Sequence, residues 1–264
     1  MSGPVYRGET LAQGLVRRYA ERTLKASLRD SFRRVVWAGS TPRGDGGAPP
    51  GGDGAATPPR DPAPGRPLVV YANHHVYADS FLLWWLLTRV LHRPMIVWME
   101  AWEQAPLFGP VGALPFPKDD GRERARTMRE TARRMSRDPR TALYVYPEGS
   151  MGVPEAGLRA FRADLPRLAR VLPDDAAWWP VAVGTSWWGE SRPTALLAGG
   201  AAHDAPDGDE RDRLQTVLDT LRDARPSDLE TGQARVLLDG KRGADERWDL
   251  SRTAPLFRRI TFGR

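Results

Sequence analysis

From residue 67 onwards, short apolar segments alternate with helical patterns, and this alternation restricts the fold more than any other feature. The strands predicted from it are 67–72, 95–99, 141–146, 178–188 and 194–198, with a short extended piece at the end of 105–117. The helices predicted from it are 79–92, 121–136, 159–171 and 208–224. Strands that are apolar along their whole length are typical of a sheet covered by helices on both faces. The sequence therefore predicts an α/β fold with a mostly parallel central sheet. Residues 227–264 give no clear pattern, and the role of 200–264 stays open.

The N-terminal segment has a helical pattern and carries many cations. Over residues 10–37, apolar residues recur at steps of three to five, and basic residues supply most of the rest. Such a helix either lies in a lipid headgroup layer or packs on the domain with its arginines in solvent, and the pattern fits both. Residues 39–66 contain eight Gly and seven Pro, which predicts a flexible loop. We therefore divide the chain into an amphipathic helix over 1–38, this Gly/Pro-rich loop, and an α/β domain over 67–264.

The positive charge is concentrated at the two ends of the chain. Residues 1–40 carry eight Arg or Lys against three Asp or Glu, whereas 201–250 carry eight against 13, and 251–264 add four cations. Basic ends suit an anionic membrane surface, and no nucleic-acid-binding motif accompanies them. The longest apolar run, residues 81–87, is too short to span a membrane, and the N-terminus lacks the apolar core of a signal peptide. We expect a cytoplasmic protein bound peripherally to the inner face of the membrane, with no nucleic-acid partner.

The first group of polar residues with chemical potential follows the strand 67–72. Asn73 and His74 come directly after this strand, and Asp79 stands near the start of the next helix. The carboxyl ends of strands are where α/β folds place their sites. If the loop folds back, the carboxylate of Asp79 can orient the His74 ring, whose other nitrogen then acts as a general base. The alternative is that Asp79 only caps the helix and His74 is a buried polar residue.

A metal site is not predicted here. The chain has no Cys and four His. His74 and His75 are adjacent, so their side chains point to opposite faces of an extended segment, and no third ligand stands nearby.

A second group follows the strand 141–146. Tyr146-Pro147-Glu148-Gly149-Ser150 ends the strand in a Pro-x-Gly sequence, which frees backbone N–H groups and can bind an anion. The alternative is an ordinary turn.

Four blocks of the sequence together resemble the glycerolipid acyltransferases of the lysophosphatidic acid acyltransferase type. The blocks are Asn73-His74 with Asp79, Leu107 to Gly109 with Gly112 to Lys118, Tyr146 to Ser150, and Trp179 to Val183. They occur in the order of the family, each at a strand end, and the resemblance covers about residues 67–200. The chain departs from the family at two basic positions, because Lys118 stands in place of an arginine and Met151 follows Ser150 where the family usually has another arginine.

The resemblance implies an O-acyltransferase that moves a fatty acyl group to the hydroxyl of a lysophospholipid such as 1-acyl-glycerol-3-phosphate. The donor is acyl-CoA or acyl carrier protein, and no bound cofactor is expected. His74 and Asp79 are the implied catalytic pair. The implied substrate-binding residues are Asn73, Lys118, Glu148, Gly149 and Ser150, with Arg159 or Arg162 able to replace the missing arginine.

Three further functions stay open at this stage. The first is hydrolysis of acyl esters or thioesters by His74 with water or by Ser150, and the second is acyl transfer to an uncharged lipid alcohol. The third is lipid binding without catalysis, which an absence of any turnover would indicate. Membrane lipids and an anionic membrane surface are the expected partners, together with acyl carrier protein if it is the donor.

Overall fold

The computed structural model describes residues 10–39, 58–162 and 165–247. Most of the Gly/Pro-rich loop predicted at 39–66 and the basic C-terminal residues lie outside the described residues.

An eight-stranded sheet forms the centre of the protein. Its strands are β1 Arg34–Trp37, β2 Leu68–Ala72, β3 Met95–Met99, β4 Ala113–Pro115, β5 Ala142–Val145, β6 Ala177–Ser186, β7 Thr194–Gly199 and β8 Arg235–Asp239. The spatial order is β4-β3-β5-β2-β6-β7-β1-β8. Pairing is parallel throughout except between β6 and β7 and between β1 and β8. The central strands β2 and β7 are buried along their whole length, as expected for a sheet covered on both faces.

Helices cover both faces of the sheet, which confirms the predicted fold class. The helices are α1 Leu11–Ser31, α2 Asp79–Trp85, α3 Gly121–Arg137, α4 Leu165–Ala169, α5 Glu210–Arg222, α6 Ser227–Glu230 and α7 Ala244–Arg247. A π-helical segment, Leu86–Val90, continues α2, and a 3-10 segment, Pro106–Val111, precedes β4. On one face α1, α2 and residues 106–111 pack on the sheet, and on the other face α3, α4 and α5 do. We call these the α1 face and the α3 face.

The predicted helix over 10–37 is wrong at its C-terminal end. The helix α1 ends at Ser31, because Phe32 adopts an extended conformation with φ −119° and ψ 151°. Val35, Val36 and Trp37 then form β1 and are almost completely buried. Their β-branched and aromatic side chains suit a strand, and β7 and β8 supply the backbone partners. Residues 34–37 therefore belong to the sheet.

The predicted helix over 159–171 is shorter than expected. Among the described residues of that range, 159–162 and 165–171, only α4, Leu165–Ala169, is helical. The backbone N–H groups of Arg159 and Arg162 donate instead to Glu148 and to the carbonyl oxygen of Pro147. These bonds hold 159–162 against the turn that follows β5. The N–H groups of Arg159 and Arg162 are therefore not available for the hydrogen bonds of a helix.

The C-terminal part of the chain completes the sheet. Residues 227–247, where no clear pattern could be recognised in the sequence, form α6, the edge strand β8 and α7. No helix among the described residues is both long and apolar enough to cross a membrane.

Candidate active site

His74 and Asp79 meet at the carboxyl end of β2. His74 Nδ1 lies 3.2 Å from Asp79 Oδ2, and the same oxygen accepts the backbone N–H groups of His75 at 2.7 Å and Val76 at 2.9 Å. Asp79 is completely buried, whereas a fifth of the His74 side chain is exposed. The residue at the N-cap of α2 is Ala78, which makes no side-chain capping bond. The Asp79 carboxylate therefore folds the loop 74–78 onto itself and fixes the orientation of the His74 ring.

Asn73 joins this loop to the neighbouring strand. Its side chain is completely buried, accepts the N–H of Val183 at 2.8 Å and donates to the carbonyl oxygen of the same residue at 2.7 Å. Its Nδ2 also lies 3.1 Å from His75 Nδ1. The structure thus places Asn73 behind the loop, where it holds β2 against β6. The expected role in substrate binding becomes one of positioning.

Tyr146 begins the second polar group of the sequence, and it stacks on the His74 ring, a contact that the sequence did not predict. The two ring centroids are 4.1 Å apart and the ring planes are inclined by 12°. The Tyr146 hydroxyl lies 3.0 Å from Ser80 Oγ. Burial raises the pKa of Tyr146 well above its ordinary value, so the phenol stays neutral. The stack covers one face of the imidazole and leaves its edge available.

Glu148 connects the two polar groups that the sequence singled out. One of its carboxylate oxygens accepts the N–H of His74 at 3.3 Å and the other accepts the N–H of Arg159 at 2.9 Å. The side chain is buried. With both oxygens bound to backbone and an anionic charge, Glu148 orders the turn; it is unsuited to contacting an anionic head group directly.

Two arginines converge on the turn 148–151. Arg159 donates to Ser150 Oγ at 3.0 Å and to the carbonyl oxygen of Met151 at 2.9 Å. Arg162 donates to the carbonyl oxygen of Gly149 at 3.1 Å. The sequence prediction that these two could reach the turn agrees with their placement. Ser150 Oγ accepts from a guanidinium, which cannot remove a proton, and no base among the described residues hydrogen-bonds to this hydroxyl, so the arrangement does not favour Ser150 as a nucleophile.

Gly149 is required by the position of Arg162. The residue has φ +69°, and a Cβ built there lies 2.0 Å from Arg162 Nε. A side chain would be strained by the backbone and would displace the guanidinium.

A cleft of about 740 Å³ opens beside His74, and residues from both faces of the sheet line it; we call the two parts of this lining its lobes. The first lies on the α1 face and is strongly apolar, with Leu24, Phe81, Trp84, Val97 and Phe108 in its lining. The second lies on the α3 face, and its apolar lining includes Trp98, Phe116, Met128, Leu165 and Leu168. The lining also includes His74, the C-terminal ends of β3 and β5, and residues of the turn after β5.

The cations of the cleft are arginines. Arg124, Arg162 and Arg167 contribute to its lining, and Arg124 also lies over the Phe116 ring at 6.0 Å. Lys118 is exposed and stands outside the lining. Of the predicted site residues, His74, Gly149 and Ser150 line the cleft and Lys118 does not.

The described residues contain no group of three His, Asp or Glu side chains that could hold a metal ion. His75 is buried next to Asn73 and Gly152, away from the cleft lining.

Fold and site together define an α/β protein with a carboxylate-bound histidine at the mouth of an apolar cleft. Residues 56–184, about half of the chain, match the family model described as Acyltransferase. This segment belongs to the acyltransferase family, which confirms the family predicted from the four sequence blocks.

Among solved structures, the chain is similar to the crystal structure of the 1-acyl-sn-glycerophosphate (LPA) acyltransferase PlsC from Thermotoga maritima. The identity is 14%, the TM-score is 0.40, and the match covers 79% of this chain and 76% of that chain. Nothing about the substrate follows from a likeness at this level. No curated protein sequence matches the chain.

Proposed function

We propose that this protein is an O-acyltransferase that moves a fatty acyl group from a thioester, acyl-CoA or acyl carrier protein, to the hydroxyl of a lysophospholipid such as 1-acyl-glycerol-3-phosphate. The observation that carries the proposal is the 3.2 Å contact of His74 Nδ1 with Asp79 Oδ2 at the mouth of the apolar cleft. The family match supports acyl transfer, and the chemistry of the cleft supports the substrates.

His74 acts as the general base. Because Asp79 accepts the proton on Nδ1, the lone pair of the ring lies on Nε2. That nitrogen takes the proton of the acceptor hydroxyl as its oxygen attacks the thioester carbonyl carbon. The tetrahedral intermediate then collapses, the C–S bond breaks, and the leaving thiolate takes the proton from His74. The products are the acyl ester and a free thiol, and the buried Asp79 charge stabilises the imidazolium between the two steps.

The apolar lobe on the α1 face accommodates an acyl chain. Its lining of Leu, Phe, Trp and Val offers no charge to the chain, and each methylene removed from water contributes about 0.8 kcal/mol. His74 lines the same cleft, so a chain held there has its ester or thioester end in the cavity that contains the base.

An anionic acceptor head group fits the arginines of the cleft. Phosphate prefers a guanidinium, which can donate two parallel hydrogen bonds. Arg162 lies on the turn beside His74 and Arg124 lines the neighbouring lobe. These two replace the cations that the family pattern led us to expect at Lys118 and Met151. A phosphate-bearing acceptor is therefore favoured over an uncharged lipid alcohol.

Peripheral membrane binding through α1 is part of the proposal. Leu11, Leu15 and Tyr19 are exposed, although the buried residues of the same helix, Leu24 and Leu28, pack on the sheet. The helix thus combines both sequence interpretations, because its C-terminal half packs on the domain and its N-terminal half presents apolar side chains to solvent. Basic residues further along the helix suit anionic lipid head groups.

The test is mass spectrometry of the lipids that the purified protein makes from labelled palmitoyl-CoA or palmitoyl-loaded carrier protein. Lysophosphatidic acid is offered in one reaction and an uncharged monoacylglycerol in another. Labelled phosphatidic acid is the expected product, and the variant His74→Ala should reduce its formation about 10²–10⁴-fold.

The neighbouring residue supplies the control. His75→Ala should retain transfer, because the His75 ring is buried against Asn73 outside the cleft. Free labelled fatty acid without lipid product, formed equally with and without acceptor, would identify a hydrolase and contradict the proposal. Exclusive acylation of the uncharged acceptor would contradict the proposed head group.

A further inference from the structure

The outer side of α3 carries five arginines in one line, which we call the arginine stripe. They are Arg122, Arg126, Arg129, Arg133 and Arg137. Steps of three and four residues place them on one side of the helix, and all five are exposed. The opposite side of α3 packs on the sheet through Thr127, Thr131 and Met135. The stripe thus extends over about 22 Å of the protein surface at 1.5 Å per residue.

Carboxylates of the chain neutralise only part of the stripe. Glu130 binds Arg133 at 2.8 Å, and Glu123 lies 3.7 Å from Arg126. Among the described residues, no carboxylate lies within ion-pair distance of Arg122, Arg129 or Arg137. Like charges at i,i+3 and i,i+4 destabilise a helix, so the stripe lowers the stability of α3. Its exposed side chains do not pack in the core.

The stripe begins at the cleft. Gly121, Arg124 and Ala125, in the first turns of α3, line the lobe on the α3 face. The helix then runs from the site edge of the sheet towards the opposite edge, because it follows β4 and precedes β5. A partner that lies along the stripe therefore has one end at the entrance to the site.

The stripe lies on the other face of the sheet from the exposed apolar residues of α1. Leu24 and Leu28 of α1 belong to the core on the α1 face, and Met135 of α3 belongs to the core on the α3 face. If α1 rests on the membrane, the stripe faces away from that surface. Its length and its unneutralised charges suit an extended acidic protein surface better than a single small anion.

We propose that the arginine stripe is the docking surface for the acidic face of an acyl-loaded carrier protein, which presents the thioester at the entrance of the cleft next to the first turns of α3. This inference rests on the proposed acyl transfer and chooses between its two donors. The carrier approaches from the solvent side of α3, whereas α1, the element proposed to contact the membrane, lies on the opposite face of the sheet.

The test compares two triple variants that remove the same charge. The stripe variant is Arg126→Gln, Arg129→Gln and Arg137→Gln, in which Gln preserves helix propensity and no cleft residue is changed. The control variant is Arg225→Gln, Arg235→Gln and Arg242→Gln, on exposed positions near the β8 edge of the sheet, far from the β4 edge next to α3. Transfer is measured with palmitoyl-loaded carrier protein and with palmitoyl-CoA, and binding is measured by fluorescence anisotropy of a labelled unloaded carrier protein.

The stripe variant should raise KM for the loaded carrier about tenfold or more, in line with the loss of electrostatic steering. KM for palmitoyl-CoA should remain within about twofold of wild type, and the control variant should match wild type with both donors. An equal loss in both triple variants would show an effect of net charge alone and overturn the proposal. An equal rise of KM for both donors would overturn it too, because the stripe would then recognise phosphate.

Binding distinguishes this inference from the acyl transfer on which it rests. If wild type transfers from neither donor, the proposed function fails, and the anisotropy measurement still decides about the stripe. Unchanged affinity of the stripe variant for the labelled carrier protein would overturn docking. Loss of binding to phosphatidylglycerol vesicles, with carrier binding unchanged, would assign the stripe to a membrane instead.

Discussion

The variant Asp79→Asn separates the chemical role of this residue from its structural one. Asp79 Oδ2 accepts three hydrogen bonds, from His74 Nδ1 and from the backbone of His75 and Val76, and Oδ1 is buried with no hydrogen-bond partner among the described residues. The amide of Asn can keep its oxygen towards the same three donors, so the loop should keep its shape. What is lost is the negative charge that stabilises the His74 imidazolium.

The magnitudes follow from those contacts. Hydrogen bonds to a charged group contribute about 1.5–3 kcal/mol and neutral ones about 0.5–1.5 kcal/mol. Three weakened bonds, offset by easier burial of a neutral group, should cost about 1–3 kcal/mol of unfolding free energy. This corresponds to a fall in Tm of roughly 2–10 °C for a protein of this size. The rate of transfer should fall about 10²–10⁴-fold, which is about 3–5 kcal/mol of activation free energy.

A matched variant elsewhere provides the control. Asp61 holds the buried Arg93 through both carboxylate oxygens, at 2.6 and 2.9 Å, outside the cleft. Asp61→Asn should therefore lower Tm without lowering kcat. The assay is kcat for lipid product at a temperature below both melting transitions, with circular dichroism to measure Tm. If Asp79→Asn keeps kcat within about threefold of wild type while Asp61→Asn behaves as described, the assigned role of Asp79 is wrong.

Three further results are expected. Replacing Leu15 and Tyr19 by Glu should release the protein from phosphatidylglycerol vesicles in a sedimentation assay without lowering Tm, because both side chains are exposed; unchanged sedimentation would show that α1 does not contact lipid. Gly149→Ala should raise KM for lysophosphatidic acid more than it lowers kcat, since the added Cβ displaces Arg162; an unchanged KM would remove Arg162 from head-group binding. Transfer should survive exhaustive dialysis against EDTA, since the described residues hold no cluster of metal ligands; loss of activity that zinc restores would contradict this.

The central strands and the position of the site could be predicted from the sequence because burial on both faces leaves a simple pattern. Strand β3 was predicted with its observed bounds, and β2 within one residue, since both are short apolar runs. The loop at His74 was placed correctly because it follows one of these strands directly. In these segments the local apolar pattern and the global fold both require a buried strand.

Strand β1, which lies next to the edge strand β8, was harder to predict. The segment after α1 continues an apolar spacing that fits a helix, and a short apolar run does not distinguish helix from strand. Strand β1 exists because β7 and β8, far along the chain, supply its hydrogen bonds. No local signal reports such partners.

The cations of the cleft show the same limit. Lys118 was predicted to bind the substrate because it ends a block that resembles the family, but it is exposed on the surface. Arg124 and Arg162 reach the cleft through the packing of α3 and of the segment after the turn at Gly149. Their placement depends on tertiary contacts, and the stacking of Tyr146 on His74 does as well.

The insertion of β1 between β7 and β8 has a consequence for how the chain folds during synthesis. Strand β1 ends at Trp37, whereas its neighbours begin at Thr194 and Arg235. At a synthesis rate of about 5–20 residues per second, roughly 10–30 s pass before the first neighbour emerges. During that interval the strand has neither of its native edges, and its three buried apolar side chains lack their core. Contacts this distant in sequence slow folding. Strand β1, the first to be synthesised, is therefore the last to be paired in the sheet.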